Sequence, residues 1–273
     1  MKIGVTESGD AALDYTWVTK ASDVDIMILM TKNITDKFIR EVLPFAYKTI
    51  IHATCTGYGG TRIEPNVPKA TTQLDQVRKL IAFGFPAKQI VVRIDPIIPT
   101  EKGLKYVEGI VEYIQPDIKR FRVSVMDNYP HVKERFKEAK IPELYQGNFQ
   151  ASDEEFKSVD HLLTRLKFRF DVTFESCAEP KLTKASAVGC VNNADIELLG
   201  LKPEGGRKKS QKEGCLCGAG KVELLSSKHF HYCACDNTPI NPNTICSFGN
   251  CTTCGYHKVY GCSNMCTYCY WNS

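Results

Sequence analysis

The sequence predicts an α/β fold in which six parallel strands form a partial (β/α)6 barrel, followed by an irregular cysteine-rich region. Short apolar runs alternate with amphipathic stretches through residues 1–176, and such alternation builds parallel sheets covered by helices. Several runs are almost continuously apolar and β-branched, as buried parallel strands are. Residues 177–273 lose this periodicity and contain 12 of the 13 cysteines. We therefore expect two parts, a barrel over 1–176 and a cysteine-organised region over 177–273.

Six apolar runs are the predicted strands. They are Ile3–Thr6, Asp25–Met30, Thr49–Thr54, Ile90–Ile94, Phe121–Met126 and Phe168–Phe174. Four stretches between them repeat apolar residues at helical spacing, namely Ile34–Ala46, Thr71–Phe83, Gly103–Ile114 and Asp153–Lys167. Ser152 with Glu155 three residues later is a capping-box pattern, which predicts where the last of these helices begins.

Polar residues follow five successive predicted strands. They are Thr31, Lys32 and Asn33; Thr56 and Gly57–Gly60; Arg93 and Asp95; Ser124 and Asp127; and Glu175 and Cys177. The site of an α/β barrel forms at the carboxyl-terminal ends of its strands, so we expect one shared polar mouth. A helix cap or a salt bridge at the rim is the alternative for each residue alone.

Three residues of this mouth, Lys32, Arg93 and Asp95, are candidates to bind a carboxylate, a ribose or a phosphate. Arginine suits bidentate recognition of anions. Glu64 and Asp127 are candidates to accept hydrogen bonds from ribose hydroxyls.

Composition and charge narrow the class of protein. The net charge of +4 permits an anionic substrate without requiring nucleic acid. No apolar stretch reaches about 18 residues, and the amino terminus lacks the pattern of a secretory signal. We therefore expect a cytoplasmic protein, in the host cytoplasm if the chain is viral, with no membrane partner. In a reducing compartment, dense cysteine indicates metal binding more often than disulfides.

The most specific motif is C-x-x-x-C-x-x-C at Cys262, Cys266 and Cys269. Three thiolates on one short loop can hold three irons of a 4Fe–4S cubane, whereas a closed cluster takes four cysteines. Such a triad leaves one iron open to an exogenous ligand. The alternative is a zinc site, for which the C-x-x-C pair Cys251–Cys254 would supply a typical knuckle.

This spacing, with Tyr268 before the third cysteine, resembles the radical S-adenosylmethionine superfamily. The resemblance implies a 4Fe–4S cluster on Cys262, Cys266 and Cys269, with S-adenosylmethionine on the open iron and Tyr268 near its adenine. It also implies formation of a 5′-deoxyadenosyl radical and an external electron donor of the flavodoxin or ferredoxin type. Most members carry the motif after their first strand. We therefore expect a permuted barrel in which His257–Tyr260 is the first strand and Cys262 lies at the shared mouth.

The whole chain also resembles a bacterial family of unknown function that ends in the same motif and is grouped near spore photoproduct lyase. The matching segments are Asp10–Tyr15, Thr31–Asn33, Ile63–Pro68, Arg93–Ile97, Cys177–Glu179 and Gln211–Cys217. The resemblance implies that the substrate is a nucleobase, modified or not, in DNA or in a nucleotide. The reaction would be a rearrangement, as in an isomerase, or a bond cleavage, as in a lyase. A small metabolite or a peptide is the alternative substrate.

The chain departs from this family at two places. Residues Gly218–Gly261 are inserted before the cysteine motif, and Thr31–Asn33 stands where the superfamily has a glycine-rich methionine-binding motif. With these resemblances, we expect catalytic roles for Lys32, Arg93, Asp95 and Asp127. We expect cofactor contacts from Thr31, Asn33, Glu64, Asn66, Ser124 and Tyr268.

The remaining cysteines allow further metal sites. Four of them stand where the related family also has cysteine and could hold an auxiliary 4Fe–4S cluster, a zinc ion or no metal: Cys177, Cys190, Cys215 and Cys217. Four of the five in the insertion could form a further zinc or iron–sulfur site, in which His229 or His231 could replace a cysteine: Cys233, Cys235, Cys246, Cys251 and Cys254. We interpret Cys55 as a core residue. The competing functions are a non-catalytic zinc or iron–sulfur module that binds nucleic acid, and an electron-transfer protein with closed clusters.

Overall fold

The computed structural model describes residues 1–6, 9–177, 179–189, 191–203, 221–225 and 262–269. Its centre is a sheet of eight strands: β1 Lys2–Val5, β2 Ile26–Thr31, β3 Thr49–Thr54, β4 Ile90–Ile97, β5 Arg120–Val125, β6 Thr173–Ser176, β7 Ser186–Ala187 and β8 Lys221–Leu224. The strand order is β7-β6-β5-β4-β3-β2-β1-β8, and every described pair is parallel. The predicted α/β fold with a parallel sheet is therefore confirmed.

Within the described ranges, seven α-helices connect or flank these strands: α1 Thr16–Lys20, α2 Asp36–Val42, α3 Ala70–Ala82, α4 Glu101–Ile114, α5 Pro130–Glu138, α6 Asp153–Phe170 and α7 Asn193–Leu198. Polar caps fix where several begin, because a side-chain oxygen accepts a hydrogen bond from an otherwise unpaired N–H of the first turn. Thr100 caps α4 by accepting from the Gly103 N–H at 3.1 Å. Ser152 and Glu155 form the predicted capping box of α6.

The helices α1–α6 bury their apolar faces against one face of the sheet. Trp17, Phe38, Leu74, Val111 and Leu163, one from each of five helices, belong to one core. Alternate strand residues complete this core, among them Leu29, Ile51, Val92, Phe121 and Phe174. Successive strand residues point to opposite faces, so the intervening residues lie on the other side of the sheet.

That other face is apolar near β1 and polar toward β6. Ile3, Ile28 and Met30 form a second cluster with Val191 and Ile196, which places α7 on this face. Farther along the sheet, one row of paired residues runs Thr54, Arg93, Arg122, Glu175 across β3 to β6. This polar row lies toward the carboxyl-terminal ends of β3 to β6.

One predicted strand is wrong. Phe168–Phe170 belong to α6, and the strand in that region is Thr173–Ser176. The aromatic residues suggested a strand, but the capped helix continues until Asp171 adopts a left-handed conformation, with φ of 49°. A left-handed residue is a common way to end a helix.

The C-terminal part of the chain contributes to the same sheet. The predicted division at 176/177 falls directly after β6, and β7, α7 and β8 all follow it. β8 pairs with the outer edge of β1, while the predicted strand His257–Tyr260 lies outside the described residues. None of the described helices has the length and apolarity needed to cross a bilayer.

Candidate metal centre at the carboxyl-terminal edge of the sheet

The three motif cysteines lie on two consecutive turns of residues 262–269. The Met265 N–H donates to the Cys262 carbonyl at 3.2 Å, and the Cys269 N–H donates to the Cys266 carbonyl at 3.1 Å. Cys266 is buried, and Cys262 and Cys269 are half-buried. Burial raises the pKa of Cys266 to about 12, and the other two thiols add to this increase. The three sulfurs are therefore close enough to influence one another.

This loop is docked on segments that follow β1 and β3. The Asn264 side chain donates to Asp10 at 2.8 Å, and the Thr267 N–H donates to the Ile63 carbonyl at 3.0 Å. The Asn66 side chain donates to the Ser263 carbonyl at 2.7 Å. Since these partners follow the carboxyl-terminal ends of strands, the loop lies at the edge of the sheet where the mouth was expected.

Asp10 is the principal anchor of the loop on the β1 side. One carboxylate oxygen accepts from the Ala12 N–H at 2.9 Å and the Thr31 hydroxyl at 2.6 Å. The other accepts from the Lys32 N–H at 2.9 Å and from Asn264. A carboxylate offers about four acceptor positions, so these partners occupy Asp10 fully. Sequence reasoning did not assign this role, although Asp10 opens a segment that resembles the related family.

On the β2 and β3 side, Lys32, Glu64 and Tyr268 form a buried triad. The Lys32 ammonium donates to Glu64 at 2.7 Å and to the Tyr268 hydroxyl at 2.6 Å. Tyr268 also hydrogen-bonds to Glu64 directly. The Thr56 hydroxyl donates to the second Glu64 oxygen at 2.7 Å. The predicted residues Lys32, Glu64 and Tyr268 are thus brought together, although 236 residues separate Lys32 from Tyr268.

The triad holds its charges despite burial. Burial alone would lower the pKa of Lys32, but Glu64, Cys266 and Asp95 raise it above its ordinary value. Burial would likewise raise the pKa of Glu64, but Lys32 and hydrogen bonds from Tyr268 and Thr56 hold it below its usual range. Lys32 is therefore a cation and Glu64 an anion at neutral pH, next to the Cys266 thiol.

Arg93, Asp95 and Ser124 form a second polar group at the same edge. Arg93 pairs with Asp95, and the Ser124 hydroxyl donates to the other Asp95 oxygen. Burial would raise the pKa of Asp95, but Arg93, Ser124 and Lys32 keep it below its ordinary value. Since Lys32 affects Asp95 through space, the two groups are neighbours. The residues of these groups come from different parts of the sheet: Lys32 follows β2, Glu64 follows β3, Arg93 and Asp95 lie in β4, and Ser124 lies in β5.

Other predicted site residues have different neighbours. Thr31 donates to Asp10, and the Asn33 side-chain oxygen accepts from Gln76 of α3 at 2.9 Å. The Gln150 amide lies 3.5 Å from Asp127. These contacts give Thr31 and Asn33 a part in holding the backbone around Lys32.

A second charged network lies deeper on the polar face, below α7. Arg122 pairs with Glu175 at 2.9 Å, and Arg120 pairs with Asp195 of α7 at 2.8 Å. His52 is fully buried, and among the described residues neither ring nitrogen has a hydrogen-bond partner. Burial and the nearby arginines hold its pKa well below the ordinary value. The alternation Arg120, Arg122, Ser124 along β5 was a signal for this polar face that sequence reasoning did not use.

A single metal ion and a 4Fe–4S cubane place different demands on the described residues. Among them, no group of three or more His, Cys, Asp or Glu side chains gathers around one point. A cubane makes a different demand, because each thiolate binds a separate iron. The three cysteines on one docked loop meet that demand. Arg135 of α5 further donates to the Cys269 carbonyl, so a second cation faces the loop.

The other predicted metal ligands are not part of this loop. Cys55 is buried at the end of β3, where its N–H donates to the Arg93 carbonyl at 2.8 Å, as expected for a core residue. Cys177 follows β6 directly. The remaining candidates lie outside the described residues: Cys190, Cys215, Cys217, Cys233, Cys235, Cys246, Cys251 and Cys254.

Comparison with known proteins gives a family but no activity. A comparison with curated proteins gave no match. A family model described as "Domain of unknown function (DUF1848)" matches residues 12–222, which extends from before α1 into β8 and ends ahead of the cysteine loop. Because the match covers well over half of the chain, the protein belongs to the DUF1848 family.

Proposed function

We propose that the protein is a radical S-adenosylmethionine enzyme whose 4Fe–4S cluster is held by Cys262, Cys266 and Cys269. The observation that carries the proposal is the docking of the C-x-x-x-C-x-x-C loop at the carboxyl-terminal edge of a parallel sheet, beside Lys32 and Asp95. When bound, the cluster and S-adenosylmethionine would supply the electron and the 5′-deoxyadenosyl radical that removes a hydrogen atom from the substrate.

A partial (β/α)6 barrel is the form of the sheet that we propose. The strands β1–β6 are neighbours in chain order, and right-handed crossovers then place every connecting helix on one face. A twisted sheet covered on one face can curl toward the other, which would enclose the polar row that contains Arg93 and Arg122. A C-terminal strand beside β1 supports a permuted barrel, with β8 in that position among the described residues.

The protein's own residues would hold and orient the reactants. Asp10 fixes the cysteine loop through Asn264, and the Lys32–Glu64 pair fixes the ring of Tyr268. Tyr268 in the loop and the exposed Asn66, which donates to the Ser263 carbonyl, are the residues that would contact the cofactor. Arg93, Asp95 and Ser124 stand behind it, where their donors and acceptors would orient the substrate.

For the substrate, we propose a nucleobase in DNA or in a nucleotide, which undergoes rearrangement or bond cleavage. Guanidinium, carboxylate and hydroxyl groups in one row offer the donors and acceptors that ring nitrogens and carbonyls of a base require. The resemblance to the group of spore photoproduct lyase supports the same class. Reduction would need an external donor of the flavodoxin or ferredoxin type. A cytoplasmic location remains part of this proposal.

The decisive experiment is anaerobic reconstitution with iron and sulfide, followed by dithionite and S-adenosylmethionine. The wild-type protein is expected to bind a 4Fe–4S cluster and to release 5′-deoxyadenosine. Cys266→Ala is expected to abolish both, whereas Cys55→Ala, a substitution of another buried cysteine, should retain both. A colourless protein that binds zinc and forms no 5′-deoxyadenosine would contradict the proposal and favour the zinc module.

A further inference from the structure

The buried triad places a single ammonium group next to the central cysteine of the motif. The Lys32 ammonium donates to the Tyr268 hydroxyl at 2.6 Å, and Tyr268 lies between Cys266 and Cys269 in the cysteine loop. Glu64 holds the ammonium from the other side at 2.7 Å and is itself fixed by Thr56. The charge is therefore held at a defined place, against a side chain of the cysteine loop itself.

Burial makes this charge effective. The Glu64 side chain is fully buried, and only 15% of the Lys32 side chain is exposed. Charges shielded from water interact more strongly than charges at the surface. The ammonium of Lys32 and the carboxylate of Glu64 carry opposite charges beside the cysteine loop, so they are expected to act on Cys266 in opposite directions.

We propose that Lys32 is a positioning residue whose ammonium raises the reduction potential of the cluster on the cysteine loop, and that the negative charge of Glu64 opposes this effect. The inference rests on the proposed function. Reduction adds one electron from the external donor and makes the cluster more negative, with no bond made or broken. A nearby cation stabilises that more negative state, and net charge is one of the factors that set cluster potentials.

A purely structural role for the triad predicts a different result. If the triad only docked the loop, removing either charged partner would disturb cluster loading in the same way. A role in setting the potential predicts opposite shifts, because Lys32 and Glu64 have opposite charges. The signs of the two shifts therefore separate the two explanations.

The test is a redox titration of the reconstituted protein, followed by electron paramagnetic resonance of the reduced cluster. Lys32→Met is expected to lower the midpoint potential, and Glu64→Gln is expected to raise it. Lys32→Arg should bring the potential back toward that of the wild type. Lys37→Met removes an exposed lysine on α2 and should leave the potential unchanged.

Failure of the inference differs from failure of the proposed function. A wild-type protein that takes up no iron and sulfide removes the proposed function and the inference with it. A wild-type protein that loads its cluster and cleaves S-adenosylmethionine, but whose Lys32→Met and Glu64→Gln variants shift together or not at all, overturns the inference alone. If Lys32→Met does not load, Lys32→Arg and Glu64→Gln still decide, because only Glu64→Gln should raise the potential.

Discussion

One charge network lies on the polar face of the sheet and another at its carboxyl-terminal edge, and the two are built differently. In the deep network, Arg122 pairs with Glu175, and Arg120 pairs with Asp195 of the covering helix α7. At the carboxyl-terminal edge, the Lys32 ammonium donates hydrogen bonds to Glu64 and to Tyr268 of the cysteine loop. It also interacts through space with Cys266. The deep network connects strands to the covering helix α7, whereas the edge network connects its ion pair to the loop that carries the potential metal ligands. The comparison distinguishes charges that mainly stabilise the fold from charges that lie beside the proposed cluster site.

The largest effect on stability is expected in the deep network. Arg122→Met leaves Glu175 buried with the longer contacts to Arg120 at 3.2 Å and Asn192 at 3.4 Å, and breaking a buried pair costs about 3 kcal/mol. Urea unfolding of the variant measures this loss. Arg165→Met, which breaks an exposed pair with Glu108, should cost less than about 1 kcal/mol. Equal losses in both variants would show that the deep network is not a stabilising element.

A smaller loss of stability is expected for Asp10→Asn, together with a change in the accessibility of the cysteine loop. Asp10→Asn has one acceptor oxygen in place of two, so buried donors lose partners at a cost of about 2 kcal/mol. Because Asn264 is then held less firmly, alkylation of Cys262 in the metal-free protein should become faster. Asp23→Asn, at an exposed position, is the control. Unchanged alkylation would mean that Asp10 does not hold the loop.

The deep network also predicts a dependence of stability on pH. The pKa of His52 is depressed in the folded protein, so below about pH 6.5 the unfolded chain takes up a proton that the folded chain does not. Stability is therefore expected to fall as the pH decreases from there, by at most about 1.4 kcal/mol per pH unit for this group. His52→Gln should reduce the slope, and His161→Gln, on an exposed face of α6, should not. Identical slopes in wild type and His52→Gln would exclude a neutral buried imidazole.

The smallest effect is expected on the opposite face, away from both networks. Thr100→Ala removes the cap of α4 and should cost about 1 kcal/mol, measured by thermal or urea unfolding. Cluster loading should be unaffected, because α4 packs on the helix-covered face. Thr72→Ala, at an exposed site inside α3, should cost nothing. A loss of cluster in Thr100→Ala would show that the site responds to any decrease in stability.

The sequence by itself determined the parallel α/β architecture, the first five strands to within a few residues, the start of α6 and the cysteine motif. These features are local, because hydrophobic periodicity and caps depend on residues a few positions apart. The same local reasoning failed at Phe168–Phe170, where aromatic residues suggest a strand but a helix already under way continues through them.

Only the tertiary structure decided which side chains meet. Asp10 and Asn264 are 254 residues apart, and β8 pairs with β1 across most of the chain. Alternation along a strand indicates which face a residue occupies, but strand order and register decide its neighbours. The pairing of Lys32 with Tyr268, on which the proposed electrostatic control of the cysteine loop depends, is therefore a property of the folded chain.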